Sequence, residues 1–495
     1  MPKKFLRPYL ILISLILGVS TSYSLAVDKP NILFIFADDQ SYETINAHGY
    51  DEVSTPHLDT LSESGVSFYN AYNMGGWNGA ICVASRTMMQ TGRFIWRAYE
   101  VDDKTSLRKL KKKGETWPQL MQAAGYETYM SGKWHVKIPS KEIYQNAVHE
   151  RPGMPNQTPE GYVRPIEGQP DKWSPYDKSF EGFWKGGKHW SEVLADDAEE
   201  FLDDASRDEK PFFMFLAFNA PHDPRQAPKR FVDMYPQEEV KVPVNYMPSY
   251  PYKYEIGLYR TQKEDGSWAM QRDENLAPHP RSEYSVRVNR QEYFAIISHM
   301  DEQIGRILAK LKEIGEMDNT YIFFTADHGL SVGHHGLIGK QNMYEHSLKV
   351  PFLVVGPDIP KGESRDQFIH LQDVMATSLE IAGVNKPEYV EFSSLLPLIG
   401  DAKRESHLGN SMYYAYQTKL QRAIRVGDYK LIVYPPVQTI RLFNIAEDPN
   451  EMRDLAGLPS EWSRIQSMFK ELLKQQEQME DPLDLKSVFP DLASH

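Results

Sequence analysis

The sequence predicts an α/β fold: a large mixed, mostly parallel sheet flanked by helices, with a smaller C-terminal subdomain of antiparallel strands plus a helix. Three observations carry this expectation. Short apolar, β-rich runs alternate with helical patterns, as in sheets whose parallel strands are covered by helices. Two of those runs end in acidic pairs. After about residue 400 the pattern changes to closely spaced strand-like pieces and a final helix.

Taken in order, the strands are NILFIFA (31–37), ETYMSG (127–132), PFFMFLAF (211–218), YIFFTA (321–326) and VPFLVVG (350–356). Continuous apolar runs of this length suit strands buried on both faces. Between them lie the helical segments TWPQLMQAAG, HWSEVLADDAEEFLDDAS and RQEYFAIISHMDEQIGRILAKLKEIG. In the last, apolar residues recur at three- and four-residue steps, and Gly315 stands where a helix cap belongs. Residues 136–188 and 235–288 are rich in Pro, Gly, Tyr and charge without periodicity. They are expected as long excursions from the sheet, where substrate selection commonly resides. The pieces SMYYAY, LQRAIRVGDYKLIVY and IRLFNI then supply the antiparallel strands.

The chain has 495 residues, 41% of them hydrophobic and 12% aromatic, which suits a well-packed globular protein of two or three domains' length. Met1 to Ala26 reads as a signal peptide. Lys3, Lys4 and Arg7 precede the apolar run YLILISLILGV, and Ser24-Leu25-Ala26 offers small residues for cleavage. An uncleaved anchor is the alternative. The expected organisation is a signal peptide over 1–26, a catalytic domain over 27–400 and a subdomain over 401–495, in a periplasmic or secreted protein with no stable membrane insertion after cleavage. A net charge of −13 disfavours nucleic acid as a partner, because neutralising phosphates needs a basic surface. It leaves room for an anionic small substrate in a locally basic pocket.

The strand ends carry the chemistry. ILFIFADDQ delivers Asp38 and Asp39, and YIFFTADHG delivers Asp327 and His328. In open α/β sheets, ligands bind beyond the carboxyl ends of the strands. Converging carboxylates there call for a hard dication, Ca²⁺ before Mg²⁺. The single cysteine, Cys82, stands in ICVASRTMMQTGR, near the start of a short helix and beside Arg86. Both features favour negative charge at that position. With one Cys there is no intrachain disulfide, so core burial must hold the fold.

Cys82-Val83-Ala84-Ser85-Arg86 followed by Thr91-Gly92-Arg93 strongly resembles the signature of the type I sulfatases of the alkaline-phosphatase superfamily. The likeness covers roughly residues 29 to 360, with a weaker echo beyond. It implies conversion of Cys82 to formylglycine by a formylglycine-generating or sulfatase-maturing enzyme. It also implies a Ca²⁺ site made by Asp38, Asp39, residue 82, Asp327 and His328. Lys133 and His135 in SGKWH, His222 in NAPHDPRQAP and Lys340 in GLIGKQNMYEH match positions that surround sulfate. In the roles this suggests, Arg86 holds the nucleophile and Lys133 and Lys340 stabilise charge. His222 is the acid to the leaving oxygen, and His135 is the base that releases sulfate. Two departures stand out. Ala84 replaces the commoner Pro, and His328 replaces the Asn of many members, as in the branch resembling iduronate-2-sulfatase and choline-sulfatase. The expected substrate is a sulfated saccharide; Arg225, His189 and Arg425 are weaker candidates for touching it. A phosphonate or phosphate ester hydrolase, or a silent sugar-binding protein with an unconverted Cys82, are the rival readings.

Overall fold

The computed structural model describes Met1 and residues 29–257, 259–262 and 268–493. The expected signal segment, Met1 apart, lies outside the described residues. Eight strands order the main sheet: β1 (Asn31–Ala37), β2 (Val66–Tyr72), β3 (Glu127–Lys133), β4 (Asn146–Arg151), β5 (Phe212–Ala217), β6 (Thr320–Ala326), β7 (Phe352–Val355) and β8 (Glu363–His370). Their spatial order is β8-β2-β7-β6-β1-β5-β3-β4, with the short strand Lys349–Val350 extending β7 along β2. All run parallel except β7, which is antiparallel to both β6 and β2. The three central strands are apolar along almost their whole length and almost wholly buried, the pattern that a sheet covered on both faces requires.

Register explains where chemistry can sit. Ala37 on β1 pairs with Ala326 on β6, so the next residues, Asp38 and Asp327, emerge side by side. Phe36 pairs with Ala217 on β5, which leads into the loop carrying His222. Lys133 closes β3 on the other side of β5. Four neighbouring parallel strands, β6, β1, β5 and β3, thus deliver their polar ends to one edge.

Helices cover this frame. Trp117, at the start of the Trp117–Ala123 helix, packs on Phe34, Phe213 and Phe215 from adjacent strands. Helix α1 (Ile81–Thr91) is buried at every residue. Helices α2 (Trp190–Ala205) and α3 (Glu283–Glu313) pack on each other. α3 begins seven residues earlier than the periodicity indicates, where Ser282 accepts from the Ser285 amide as its cap. The second sheet orders strands 439–444, 429–434, 421–426 and 411–416 antiparallel. Gly75–Gly76 joins its edge in parallel beside Ala415 and Tyr416, so the chain entering α1 is itself stitched to that sheet. Among the described residues no helix is long and apolar enough to cross a membrane.

Candidate active site

Helix α1 carries Cys82 in its first turn, where unpaired amides and the helix dipole favour an anion. Gly92 ends it at φ +70°, donating its amide to Met88 O at 2.8 Å, a left-handed cap that a glycine supplies without strain. Arg93 then donates to Glu115 at 2.8 Å and to Thr91 O at 2.9 Å, fixing the exit of the helix. The Thr-Gly-Arg part of the motif is thus the terminator that sets the pose of α1.

Arg86, one turn after Cys82, reaches the strand ends. Its Nε donates to Asp327 Oδ2 at 3.1 Å and its Nη1 to the Lys133 carbonyl at 2.8 Å, while Nη2 lies 3.8 Å from Asp38 Oδ1. Lys133 pairs with Asp38 Oδ2. Lys340 donates to both oxygens of Asp39, at 2.7 and 2.8 Å. His328 Nε2 stands 3.1 Å from Asp39 Oδ1 and 3.6 Å from Asp327 Oδ1, and its Nδ1 donates to Gly329 O at 2.8 Å. His135, at φ +58°, places Nδ1 3.2 Å from Cys82 Sγ. His222 Nδ1 donates to Asp223 O at 2.7 Å, with Nε2 3.8 Å from Asp39 Oδ2. Ten residues expected at the site are therefore brought together: Asp38, Asp39, Cys82, Arg86, Lys133, His135, His222, Asp327, His328 and Lys340.

The charges are strongly coupled. Burial pushes the Asp38 carboxyl well above its usual range, helped by Asp327 and opposed by Lys133. Burial also works against Asp327, yet His328, Arg86 and Lys133 hold it well below. Burial would lower His328, but Asp327 and Asp39 outweigh it and raise the imidazole. Burial would raise the Cys82 thiol, but Lys133, His135 and Lys340 more than offset that and leave it well below its ordinary value. An anion at position 82 is thus welcome.

The residues also fit a metal. Asp38, Cys82, Asp327 and His328 offer ligand atoms all within 4.8 Å of one another, as do Asp38, Asp39 and His222. Asp38 Oδ1 and His328 Nε2 are buried without a hydrogen-bond partner. Such unpartnered buried polar atoms are costly unless a ligand meets them. The first cluster holds one soft donor, Cys82 Sγ; an oxygen in its place leaves carboxylates, that oxygen and one imidazole.

Over this floor opens a cavity of about 200 Å³, lined by Cys82, His135, His222 and Lys340 and by Gly153, Met154, Arg272 and Asp273 from the two excursions. Arg272, Asp273 and Gln341 were not legible as site residues, because nothing in local spacing links them to a strand end. Asp223 had one signal, its position next to His222. Arg225, His189 and Arg425, expected to touch substrate, lie outside this cavity. Arg225 donates to Asn289 at 3.0 Å and stacks over Tyr293. His189 is fully buried: Nδ1 caps α2 by accepting from the Ser191 amide at 3.1 Å, and Nε2 donates to Gln226 O at 2.9 Å. Arg425 pairs with Glu345 at 2.9 Å and with Tyr72 beneath the second sheet. His189 and Arg425 have partners for their buried polar atoms, whereas Arg225 Nε is buried without one.

Comparison with known proteins decides the family. The model described as "Sulfatase" matches residues 30–384, and that of the C-terminal region of N-sulphoglucosamine sulphohydrolase matches 333–479. The chain belongs to the sulfatase family. As an enzyme it is a sulfatase, a hydrolase of sulfuric esters. It is 26% identical to N-acetylglucosamine-6-O-sulfatase of Bacteroides thetaiotaomicron, over 92% of this chain and 87% of the relative. It is 28% identical to choline-sulfatase of Rhizobium meliloti, covering 87% and 83%. A structure solved with its substrate D-glucosamine-2-N,6-O-disulfate superposes with a TM-score of 0.69 at 23% identity, over 92% of this sulfatase and 99% of that chain. The mixed, mostly parallel sheet and separate antiparallel sheet predicted from the sequence are the architecture observed.

Proposed function

We propose that this sulfatase removes sulfate from a sulfated carbohydrate, with formylglycine at position 82 and Ca²⁺, rather than Mg²⁺, held by Asp38, Asp39, Asp327, His328 and residue 82. The observation that carries the reading is the convergence of Cys82 Sγ with Asp38, Asp327 and His328 at the floor of a small pocket. The carbohydrate part is supported by relatives named for acting on N-acetylglucosamine and on ulvan.

When bound, the dication supplies charge stabilisation for sulfuryl oxygens, and the hydrated formylglycine supplies an oxygen nucleophile. The chain's own residues do the rest. Arg86 Nη2, buried without a hydrogen-bond partner, is the donor left to orient that oxygen. Lys133 and Lys340 add positive charge in a water-poor site, where a single such donor is worth about 10²–10³ in rate. Burial holds His222 well below its ordinary value, and Asp39 only partly offsets this. The arriving sulfate anion therefore favours the protonated form that gives its proton to the leaving oxygen. Burial opposes the charge on Lys340, yet Asp39, the unmodified Cys82 thiol and Asp273 hold it well above its ordinary value. It remains a donor throughout. His135, beside position 82, takes the proton whose loss releases sulfate.

Export and maturation complete the proposal. The leader over 1–26 directs the chain to the periplasm or outside the cell, and a formylglycine-generating or sulfatase-maturing enzyme modifies Cys82. The regions 27–400 and 401–495 act as catalytic domain and subdomain. The test is release of inorganic sulfate from a panel of defined sulfated saccharides, run beside aryl sulfate and aryl phosphate esters. Sulfate release from at least one saccharide supports the proposal. Dominant phosphatase activity, or turnover confined to non-sugar sulfates, overturns it.

A further inference from the structure

His222 is joined to Gln341, the residue after Lys340, by a continuous run of polar contacts. His222 is anchored on Asp223, through the carbonyl at 2.7 Å and with Oδ1 3.3 Å from Nδ1. Arg272 grips both oxygens of the Asp223 carboxylate, Nη1 at 2.9 Å from Oδ1 and Nη2 on Oδ2. The same Nη1 donates to Asp273 Oδ1 at 2.9 Å, and Nε donates to Tyr162 Oη at 3.2 Å. Asp273 Oδ2 accepts from Gln341 Nε2 at 2.7 Å. Gln341 follows Lys340 in the chain, accepts from its backbone amide at 3.2 Å, and also donates to Gly79 O at 3.1 Å just ahead of α1.

Arg272 comes from an irregular excursion and is partly open to solvent. Its side chain is 31% exposed, against 6% for Asp223 and 9% for Asp273. It holds two buried carboxylates that would otherwise lie close together, and a planar guanidinium can grip both at once where an ammonium cannot. With the fork in place, Asp223 is fixed, and with it the loop turn and the ring of His222. The bridge reaches the ring at Nδ1, while Nε2 faces Asp39 at 3.8 Å.

We infer that Arg272 is a positioning residue that acts through Asp223 to aim His222 at the leaving oxygen. This rests on the reading of His222 as the acid. It goes beyond that reading by assigning the alignment to a side chain of the 235–288 excursion.

The experiment uses the matured, Ca²⁺-loaded full chain and two probes. One is 4-nitrophenyl sulfate, whose phenolate leaves readily; the other is phenyl sulfate, whose leaving group has a pKa of about 10. Neither carries a sugar, so direct sugar contacts of Arg272 do not enter. Arg272→Met, Arg272→Lys, His222→Ala and the double variant Arg272→Met/His222→Ala are compared for kcat/KM, with thermal unfolding to confirm folding. The expected result is a loss about tenfold greater on phenyl than on 4-nitrophenyl sulfate for Arg272→Met and for His222→Ala. Arg272→Lys should recover little of it, and the double variant should be no worse than His222→Ala alone, since residues acting as a unit are not additive. If Arg272→Met does not fold, Arg272→Lys, which keeps the charge, gives the same comparison. Equal losses on both probes in the Arg272 variants, with a leaving-group-dependent loss in His222→Ala, overturn the inference and leave the acid in place. Equal losses in His222→Ala remove the acid and the inference with it.

Discussion

Arg86 Nε donates to Asp327 Oδ2 at 3.1 Å while its Nη1 donates to the Lys133 carbonyl at 2.8 Å, so one guanidinium fastens the cysteine-bearing helix to two strand ends. It also stacks over Phe36, with the guanidinium carbon 4.7 Å from the ring centroid. Removing one partner of a buried pair leaves an uncompensated charge and costs about 3–5 kcal/mol. Arg86→Ala should therefore lower unfolding free energy by about that amount in urea titrations, and abolish turnover. Arg86→Lys should not restore either, because the fork cannot be copied. A loss below about 1 kcal/mol, the range of an exposed pair, would contradict this.

Chelation should remove activity and lower the melting temperature, and Ca²⁺ should restore both. Binding to the folded state alone stabilises by about 2.7 kcal/mol when free ion is at a hundred times its Kd. Asp39→Asn and Asp327→Asn should blunt the Ca²⁺-dependent rise in differential scanning calorimetry. A melting temperature indifferent to both chelator and Ca²⁺ would contradict the assignment of these carboxylates.

Gly153 packs against the His135 imidazole so closely that a Cβ there would come within 2.2 Å of Cε1. Gly153→Ala must displace the ring from position 82, and a displacement of about 1 Å can cost about 10²-fold in rate. The expected outcome is a fall in kcat of that order with near-normal unfolding. Unchanged kcat would show that His135 does not need its place.

Glu43 is one carboxylate outside the site that contributes acid sensitivity. Burial would raise its carboxyl, but His334 at 2.9 Å and the Tyr42 hydroxyl at 3.0 Å outweigh it and bring it down to about 2. A depressed acid contributes stability that is present above its unfolded pKa of about 4.3 and lost as pH falls through its folded value. Melting temperature should drop between about pH 4.3 and 2. Glu43→Gln should be less stable at neutral pH and show a shallower drop across that window. A parallel curve would contradict the pairing.

The sequence-based reading succeeds where one physical constraint acts alone. NILFIFA marks β1 because burial on both faces demands an unbroken apolar run, and the observed bounds are Asn31–Ala37. YIFFTA and PFFMFLAF mark β6 and β5 to within one residue for the same reason. The strands VSFYNAY and ESRDQFIH escape notice because they mix polar with apolar positions, being only partly covered at their side of the sheet. The start of α3 is hidden because Glu283–Asn289 interleaves charge and β-branched residues, and its cap is a single serine. The site divides likewise. Strand-end carboxylates and the Cys82 motif are local signals, whereas Arg272 meets Asp223 across 49 positions through a segment without periodicity. A basic tip beside aromatics, as at His189, looks the same in sequence whether it faces a sugar or caps a buried helix, and a strand arginine such as Arg425 reads alike whether it closes a pocket or pairs with a buried carboxylate.

The central claim is that residue 82 is an oxygen-bearing catalytic group rather than a thiol. Mass analysis of the tryptic peptide containing residue 82, from protein expressed with a maturing enzyme, tests it most directly. The account predicts a peptide lighter than the encoded one by about 18 Da, reactive as an aldehyde and lost together with activity in Cys82→Ala. A peptide of the encoded mass, alkylated as a free thiol in a preparation that still releases sulfate, would contradict it.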